Sequence, residues 1–375
     1  MALSKIQTAE MLDTPNLGRR NLIINGGMSI AQRTSSATGI GSSNSGTYNA
    51  QDRWNFFAYG SPAARWTQSV STDVPASSTH TTSLKLDCTT ASGTVGAGHR
   101  QQIMQVIEAQ NLQHLRWGSS VAKKVTLSFW VKSSVTGKNY CWIYHNDGTR
   151  FSYKSYTVNS ANTWEHKTVT FTGDTAAAIT NDNGAGINII WMLYLGSDYT
   201  SATDGVEDTW QSWSAGNYDQ FNGQVNNASS TSNEWYLTGV QLELGETASD
   251  FEHRSFAEEL RDCQRYYFHT YRQGIAIGST GSDNGAAMDR VGTAVTNHHN
   301  WIVQYAVPMR ATPNITYYSI NGTVDRVSEL GSDFSHDSNV SITATYEMGE
   351  RGINGISVGA SDTSIGGHVI ANAEL

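Results

Sequence analysis

The chain has 375 residues, 38% hydrophobic and 15% charged, with 42 Ser, 39 Thr, 35 Gly and only 5 Pro. That length suits two or three domains around a well-buried core, and 11 Trp and 17 Tyr set against so little charge exclude a disordered chain. A net charge of −9 excludes a general binder of nucleic acid or anionic membrane, which needs a basic surface.

Residues 1–20 mix polar and apolar side chains without a period, and read as a tail that orders against a partner or as a flexible leader. They lack the continuous apolar core of a signal peptide. A protein of this kind working outside a cell is expected to leave by lysis.

From residue 21 to 254 the pattern is that of short strands. Leu84 and Leu86 share a face. Val125, Leu127, Phe129 and Val131 alternate with Thr126, Ser128 and Lys132, the period of a half-buried strand. Trp130 falls on the polar face of that strand and needs a covering layer or a partner. Val169 pairs with Phe171. Ile187 to Leu195 is apolar on both faces, as a central strand is. Its longest apolar run, Ile189 to Leu195, is far shorter than the ~20 residues of a spanning helix, so no membrane insertion is expected. Val240, Leu242 and Leu244 line one face, with Gln241 and Glu243 expected to face out to solvent. Turns are marked by Asn25-Gly26-Gly27, Thr136-Gly137-Lys138, Asn146-Asp147-Gly148-Thr149 and Asn181-Asp182-Asn183-Gly184. Many short strands with little helix predict an all-β chain whose first module, residues 21–254, is a two-sheet sandwich of jelly-roll type.

One helix interrupts this pattern. Ser255-Phe-Ala-Glu258 has the form of a capping box, and Phe256, Leu260, Cys263 and Tyr267 follow as one apolar stripe, with Gly274 as its stop. The spacing predicts a linking helix over 255–273 and a second, smaller β module over 274–375. Trp301, Val303, Tyr305, Val307 and Met309 alternate as a strand there, with Pro308 at an edge. Subunit contacts are expected to complete the thin core of this module.

Motifs for chemistry are sparse. Gly355-Ile-Ser357-Val-Gly359 has the form of a nucleophile elbow, but that motif requires a helix after the serine and later Asp and His, and His368 is the one later histidine. A glycosidase requires paired carboxylates; Glu207, Asp208, Glu234, Glu243 and Asp250 are available without a spacing that pairs them. His298-His299 lacks companions at ligand spacing. Cys88, Cys141 and Cys263 are odd in number and far apart, and read as free thiols made in a reducing cytoplasm. No cofactor or metal is expected. The informative segment is the long polar loop from Gly196 to Gly223. It carries Tyr199, Trp210, Trp213, Tyr218 and Phe221, and loops of this length are functional or disordered. Aromatic faces can stack on sugar rings while Asp and Asn take the hydroxyls, so Trp210, Trp213, Tyr218 and Tyr199 are the candidate carbohydrate-binding residues. The competing reading packs these rings onto the sandwich. Trp142, Tyr144, Tyr153 and Tyr156 are expected to line two paired strands.

Five phrases recur together in a known group. They are NLIINGGMSIAQR (Asn21 to Arg33), QDRW (Gln51 to Trp54), VTLSFWVK (Val125 to Lys132), GVQLELG (Gly239 to Gly245) and DFEHRSFAEELRDCQRYY (Asp250 to Tyr267). In this order they resemble a group of bacteriophage virion proteins, mostly tail fibre or structural proteins, and the opening MALSKIQ resembles fibres of phages of aquatic bacteria, cyanophages among them. The resemblance covers residues 21–272, with departures at Gly27 and Ser249-Asp250. It implies a jelly roll like that of carbohydrate-binding modules and a C-terminal β module. It also implies a homotrimer joined to other virion proteins by residues 1–20, and a virion location. It carries no catalytic residue. The resulting expectation is a non-enzymatic fibre that attaches to host cell-surface glycan. A purely structural virion component and a polysaccharide depolymerase are the alternatives.

Overall fold

The structure, a computed structural model, describes residues 19–42, 44, 46–201, 206–214, 220–281, 285–289, 298–330, 336–346, 348–359 and 364–375. The expected attachment segment, residues 1–20, lies outside these except for Arg19 and Arg20. The chain divides into two units. The first holds Ser36–Asn49, Trp54–Arg254 and the segment ending at Ser29; the second holds Ile30–Ser35, Ala50–Arg53 and Ser255–Leu375.

The first unit is built from β1 (Ser36–Ile40), β2 (Gly46–Tyr48), β3 (Asn55–Tyr59), β4 (Arg65–Ser71), β5 (Ser83–Thr90), β6 (Arg100–Glu108), β7 (Val125–Ser133), β8 (Gly137–His145), β9 (Arg150–Val158), β10 (Glu165–Phe171), β11 (Ala185–Leu195), β12 (Gln211–Ser212) and β13 (Glu234–Leu244). They form two antiparallel sheets, in the orders β1-β4-β5-β13-β7-β10 and β12-β9-β8-β11-β6-β3-β2. The chain crosses repeatedly from one sheet to the other, which makes this unit a jelly-roll sandwich. The all-β expectation holds.

The alternation read from the sequence sets the core. Leu84, Leu86, Val125, Leu127, Phe129, Val131, Val240 and Leu242 point inward from the six-stranded sheet, against Ile187, Ile189, Trp191 and Leu193 of β11. Each fully buried side chain of this size contributes about 1.5–3 kcal/mol. Phe129 meets Trp191 and Tyr156 edge-on at 5.4 and 5.2 Å. The phrase around Asn21 has a physical role. Asn21 is buried, its Nδ2 donates to the Val240 carbonyl, and its Oδ1 accepts from the backbone of Ile23 and Leu242. Gly26 passes so close to β13 that a Cβ would sit 2.2 Å from the Val240 oxygen.

Two expectations need correction. Gln241 and Glu243 do face away from the core, yet both are buried, because residues 249–252 fold over them. Glu243 accepts from Gln241 Nε2 and the Ser249 amide, each at 2.8 Å, and from the Ser249 hydroxyl at 2.5 Å. The helix spans Phe256–Gln264 and stops well before Gly274. The capping box is present: Ser255 Oγ accepts from the Glu258 amide, and Glu258 Oε2 accepts from the Ser255 amide. The helix ends because Tyr267–His269 becomes a strand, with Tyr267 opposite Asn372. Within the helix Cys263 is the buried residue of the stripe, while Phe256 is exposed.

In the second unit the sheet order is Tyr267–His269, Ser364–Asn372, Arg326–Leu330, His336–Tyr346, Gly355–Val358, His298–His299. Its core holds Trp301, Val303, Tyr305, Met309, Val327, Ile353, Ile365 and Val369. Alternation over 301–309 marks the buried Trp301, Val303, Tyr305 and Met309, with Val307 half-buried, but only Val303–Gln304 forms a ladder, with Gly352–Ile353.

His368 is buried in this unit, stacked on Tyr271 at 3.7 Å. Burial, with His269 adding, pushes its pKa down to about 4. Unfolded His368 therefore takes up a proton at a pH where the folded form does not. The stability this contributes is full above about pH 6.5 and is lost as pH falls toward 4. Thermal melts are expected to show Tm falling through that window, with the slope reduced in His368→Phe. An unchanged slope in that variant would assign the acid sensitivity elsewhere.

Candidate functional site

The outer face of the seven-stranded sheet carries the site. β11 is apolar on both sides, as read from sequence, because its outer side chains Ile190 and Met192 enter a second cluster with Tyr140, Trp142, Phe151, Tyr153, Tyr199 and Phe221. The register lays Ile190 beside Trp142, Trp142 beside Tyr153, and Tyr144 beside Phe151. Tyr156 points to the other side, into the sandwich core.

The loop after β11 returns over this face. Gly196 starts the turn against residues 96–97, where a Cβ would lie 2.0 Å from the Gly96 oxygen. Phe221 donates its amide to the Tyr199 carbonyl and packs on Tyr153, Tyr140 and Trp142 at 5.1–5.4 Å. Trp213 lies on Trp142 at 4.9 Å and Phe151 at 5.3 Å.

Toward β6 and β3 the same face bears Arg100. Its guanidinium carbon lies 5.1 Å from the ring centres of Tyr59 and Trp213, 5.4 Å from Tyr199 and 5.5 Å from Phe57. Among the described residues no carboxylate pairs with Arg100, and its Nε has no hydrogen-bond partner. Burial lowers its pKa, and the neighbouring Tyr199 and Tyr59 hydroxyls oppose that. Gln102 and Asn55 follow on the same face, in register with Phe57 and Met104. Gln102 Oε1, Asn55 Oδ1 and the Trp142 indole nitrogen are likewise buried without a partner among the described residues. Tyr59 is 46% exposed at the rim. Such a surface offers rings for the C–H faces of a sugar and a forked cation for a carboxylate or phosphate.

The structure brings Tyr199 and Trp213 together around Arg100 and separates Trp210 from them. Trp210 donates its indole N–H to the Thr172 carbonyl at 2.8 Å and packs edge-on against Trp117 at 5.0 Å, on the side of the sandwich core. Tyr218 lies outside the described residues. Trp210→Ala is expected to cost about 2–4 kcal/mol of stability without changing ligand affinity. A denaturant melt beside a binding titration checks both parts.

Phe57, Tyr59, Arg100, Gln102 and Asn55 were not singled out from sequence. The reason lies in β6, RQQIMQVIE, which has glutamines on both faces. Gln101 points inward to the Trp66 indole and Gln105 to the Ile24 backbone, so the alternation of apolar residues is hidden.

The other sequence candidates find different partners. Glu207 accepts from the Ser155 amide, Asp208 from the Thr172 amide, and Glu234 from Lys85 and Tyr236, which hold its carboxyl below the usual range against burial. Ser357 sits within the strand Gly355–Val358 with its Oγ 2.7 Å from His298 Nδ1, which is not the strand–turn–helix of a nucleophile elbow. Among the described residues no three His, Cys, Asp or Glu side chains are grouped for a metal.

This geometry defines a jelly-roll sandwich with a polar-aromatic outer face. No family model and no curated protein sequence matches the chain. Solved structures with a similar course of the chain include the enzymatically active domain of tailspike protein 4 of bacteriophage CBA120, 13% identical with a TM-score of 0.31. That match covers 60% of this chain and 21% of the tailspike chain, about a fifth of its length. A carbohydrate-binding module of family 61 in complex with β-1,4-galactotriose is 9% identical, with a TM-score of 0.30, covering 60% of this chain and all (100%) of that one. The family 11 carbohydrate-binding module of Clostridium thermocellum, in complex with a β-1,3-1,4-mixed-linked tetrasaccharide, is 11% identical with a TM-score of 0.26, covering 54% and 91%.

Proposed function

We propose that this chain is a fibre or appendage protein of a bacteriophage virion that holds host surface glycan on the outer face of its seven-stranded sheet. The observation that carries this reading is Arg100, a largely buried cation ringed by four aromatic side chains and paired with no carboxylate among the described residues, beside buried amide oxygens that also lack partners. A buried charge without a partner is costly, and a ligand bearing an acidic group would supply the guanidinium with one. The five ordered phrases support the virion assignment. In this reading three copies assemble, residues 1–20 join other virion proteins, and weak sites act together because several engage one cell.

The test is binding of the purified full chain to lipopolysaccharide from the host, with light scattering for the trimer and a reducing-end assay alongside. Saturable binding by a trimer without release of reducing ends is the expected result. Release of reducing ends would replace this reading with a depolymerase. An assembled trimer that binds no host polysaccharide would leave a purely structural component.

A further inference from the structure

The opposite sheet of the sandwich holds a second pocket with different chemistry. Trp130, the ring that the alternation of β7 places on the polar side, is half-buried there. It lines a cavity of about 280 Å³ with His80, Ser128, His166, Gly239, Ser249, Asp250 and Phe251. The cavity exists because β13 bulges. Thr238 lies opposite Trp130, and the register against β7 then slips before Gln241. Gly239 sits in the slip with φ +60°, and a Cβ there would lie 2.4 Å from His80 Nε2 and 3.0 Å from Trp130 Cδ1. Bulges re-aim side chains in this way beside functional sites. His166 leans on Trp130 at 5.0 Å, and Phe251 closes on His80 at 4.7 Å.

The Ser249 hydroxyl is held by Glu243, but the other polar side chains that face this cavity are uncommitted. Among the described residues no hydrogen bond engages the ring nitrogens of His80 or His166, the indole N–H of Trp130, or the carboxylate of Asp250. Burial, with His253 and His166 adding, pushes His80 down to about 4, so its imidazole is neutral near pH 7 and offers one donor and one acceptor. The volume lies at the small end of ligand pockets, which run about 300–1,000 Å³, and admits one ring rather than a chain. A sugar hydroxyl is both donor and acceptor, the match for imidazole, serine and carboxylate together. The exposed Asp250 carboxylate disfavours an acidic ligand.

We propose that this bulge-lined pocket is a second saccharide site, which takes a single neutral pyranose with its C–H face on Trp130 and its hydroxyls on His80, His166 and Asp250. It stands apart from the Arg100 face and does not depend on that face binding glycan.

The test is saturation-transfer NMR on the full chain with methyl α-D-mannopyranoside, methyl β-D-galactopyranoside and methyl β-D-glucopyranoside, and with D-glucuronate as the acidic probe. At least one neutral glycoside is expected to bind with millimolar affinity, and D-glucuronate to bind no tighter in the wild type than in Trp130→Leu. Trp130→Leu is expected to weaken the neutral glycoside tenfold or more, and His166→Ala, at an exposed position that leaves the core intact, to weaken it severalfold. Arg100→Met is expected to leave it unchanged. Absence of binding by all three glycosides, or binding that survives both Trp130→Leu and His166→Ala, would overturn the assignment. Loss in Arg100→Met alone would move the neutral sugar to the other face.

Discussion

Arg53→Met is expected to destabilise the second unit by about 3–5 kcal/mol, the cost of breaking a buried ion pair from one side. Arg53 is fully buried, with its guanidinium 3.4 Å from the ring centre of Tyr266, and it pairs with Glu374. Glu374 also takes Arg33 at 3.0 Å, and Arg33 reaches Asp52 at 3.4 Å while covering the Tyr267 ring at 3.7 Å. Burial raises the pKa of Asp52, and Arg33 and Gln32 pull it back. Methionine keeps much of the packing volume and removes the charge, which leaves carboxylates buried with too few cations. Set against a usual total of about 5–15 kcal/mol, the loss is severe. A melt of the full chain should show one transition dropping by roughly 10–20 °C, and Glu374→Gln, which keeps hydrogen-bonding atoms, should fall less. A Tm within error of wild type for Arg53→Met would remove this network from the list of stabilising features.

In the attachment reading proposed above, Arg100→Met has the largest expected effect. A hydrogen bond to a charged group contributes about 1.5–3 kcal/mol, about 10–100-fold in affinity for one site. When several sites on one particle must hold together, that factor is compounded across them, so adsorption of assembled particles should fall below detection while the isolated chain loses one to two orders of magnitude. Methionine still lies against Trp213 and Tyr199, so the fold should survive. The salt dependence of binding to an acidic polysaccharide should also flatten. Unchanged affinity and an unchanged salt slope would show that this cation only packs its neighbouring rings.

The layout of the sandwich was legible where one face of a strand is dry. Val125 to Val131 and Leu84 with Leu86 announced themselves through strict alternation, and Ile187 to Leu195 through its lack of one. Trp130 also announced its need for neighbours. What could not be read was any cover supplied from far along the chain. Glu243 looks solvated until residues 249–252 are laid over it, and Tyr267 continues a helical stripe until Asn372 arrives to pair with it. The Arg100 face combines both difficulties. Its strand has glutamines on both sides, and the rings around Arg100 come from β3 (Phe57, Tyr59) and from the loop that carries Tyr199 and Trp213. The phrase QDRW shows the same limit from the other direction: four consecutive residues, all buried, of which Arg53 finds Tyr266 and Glu374, partners that no local pattern could supply.

The three cysteines carry a consequence for durability. Cys88, Cys141 and Cys263 are free and buried, and burial raises all three thiols, Cys88 to about 11. Exchange and oxidation proceed through an accessible thiolate, which none of these sites provides. The three thiols of the folded molecule are therefore insensitive to the redox poise of the medium: thiol-specific alkylating agents find no thiolate to label, and a change from reducing to oxidising conditions leaves these cysteines as they were made.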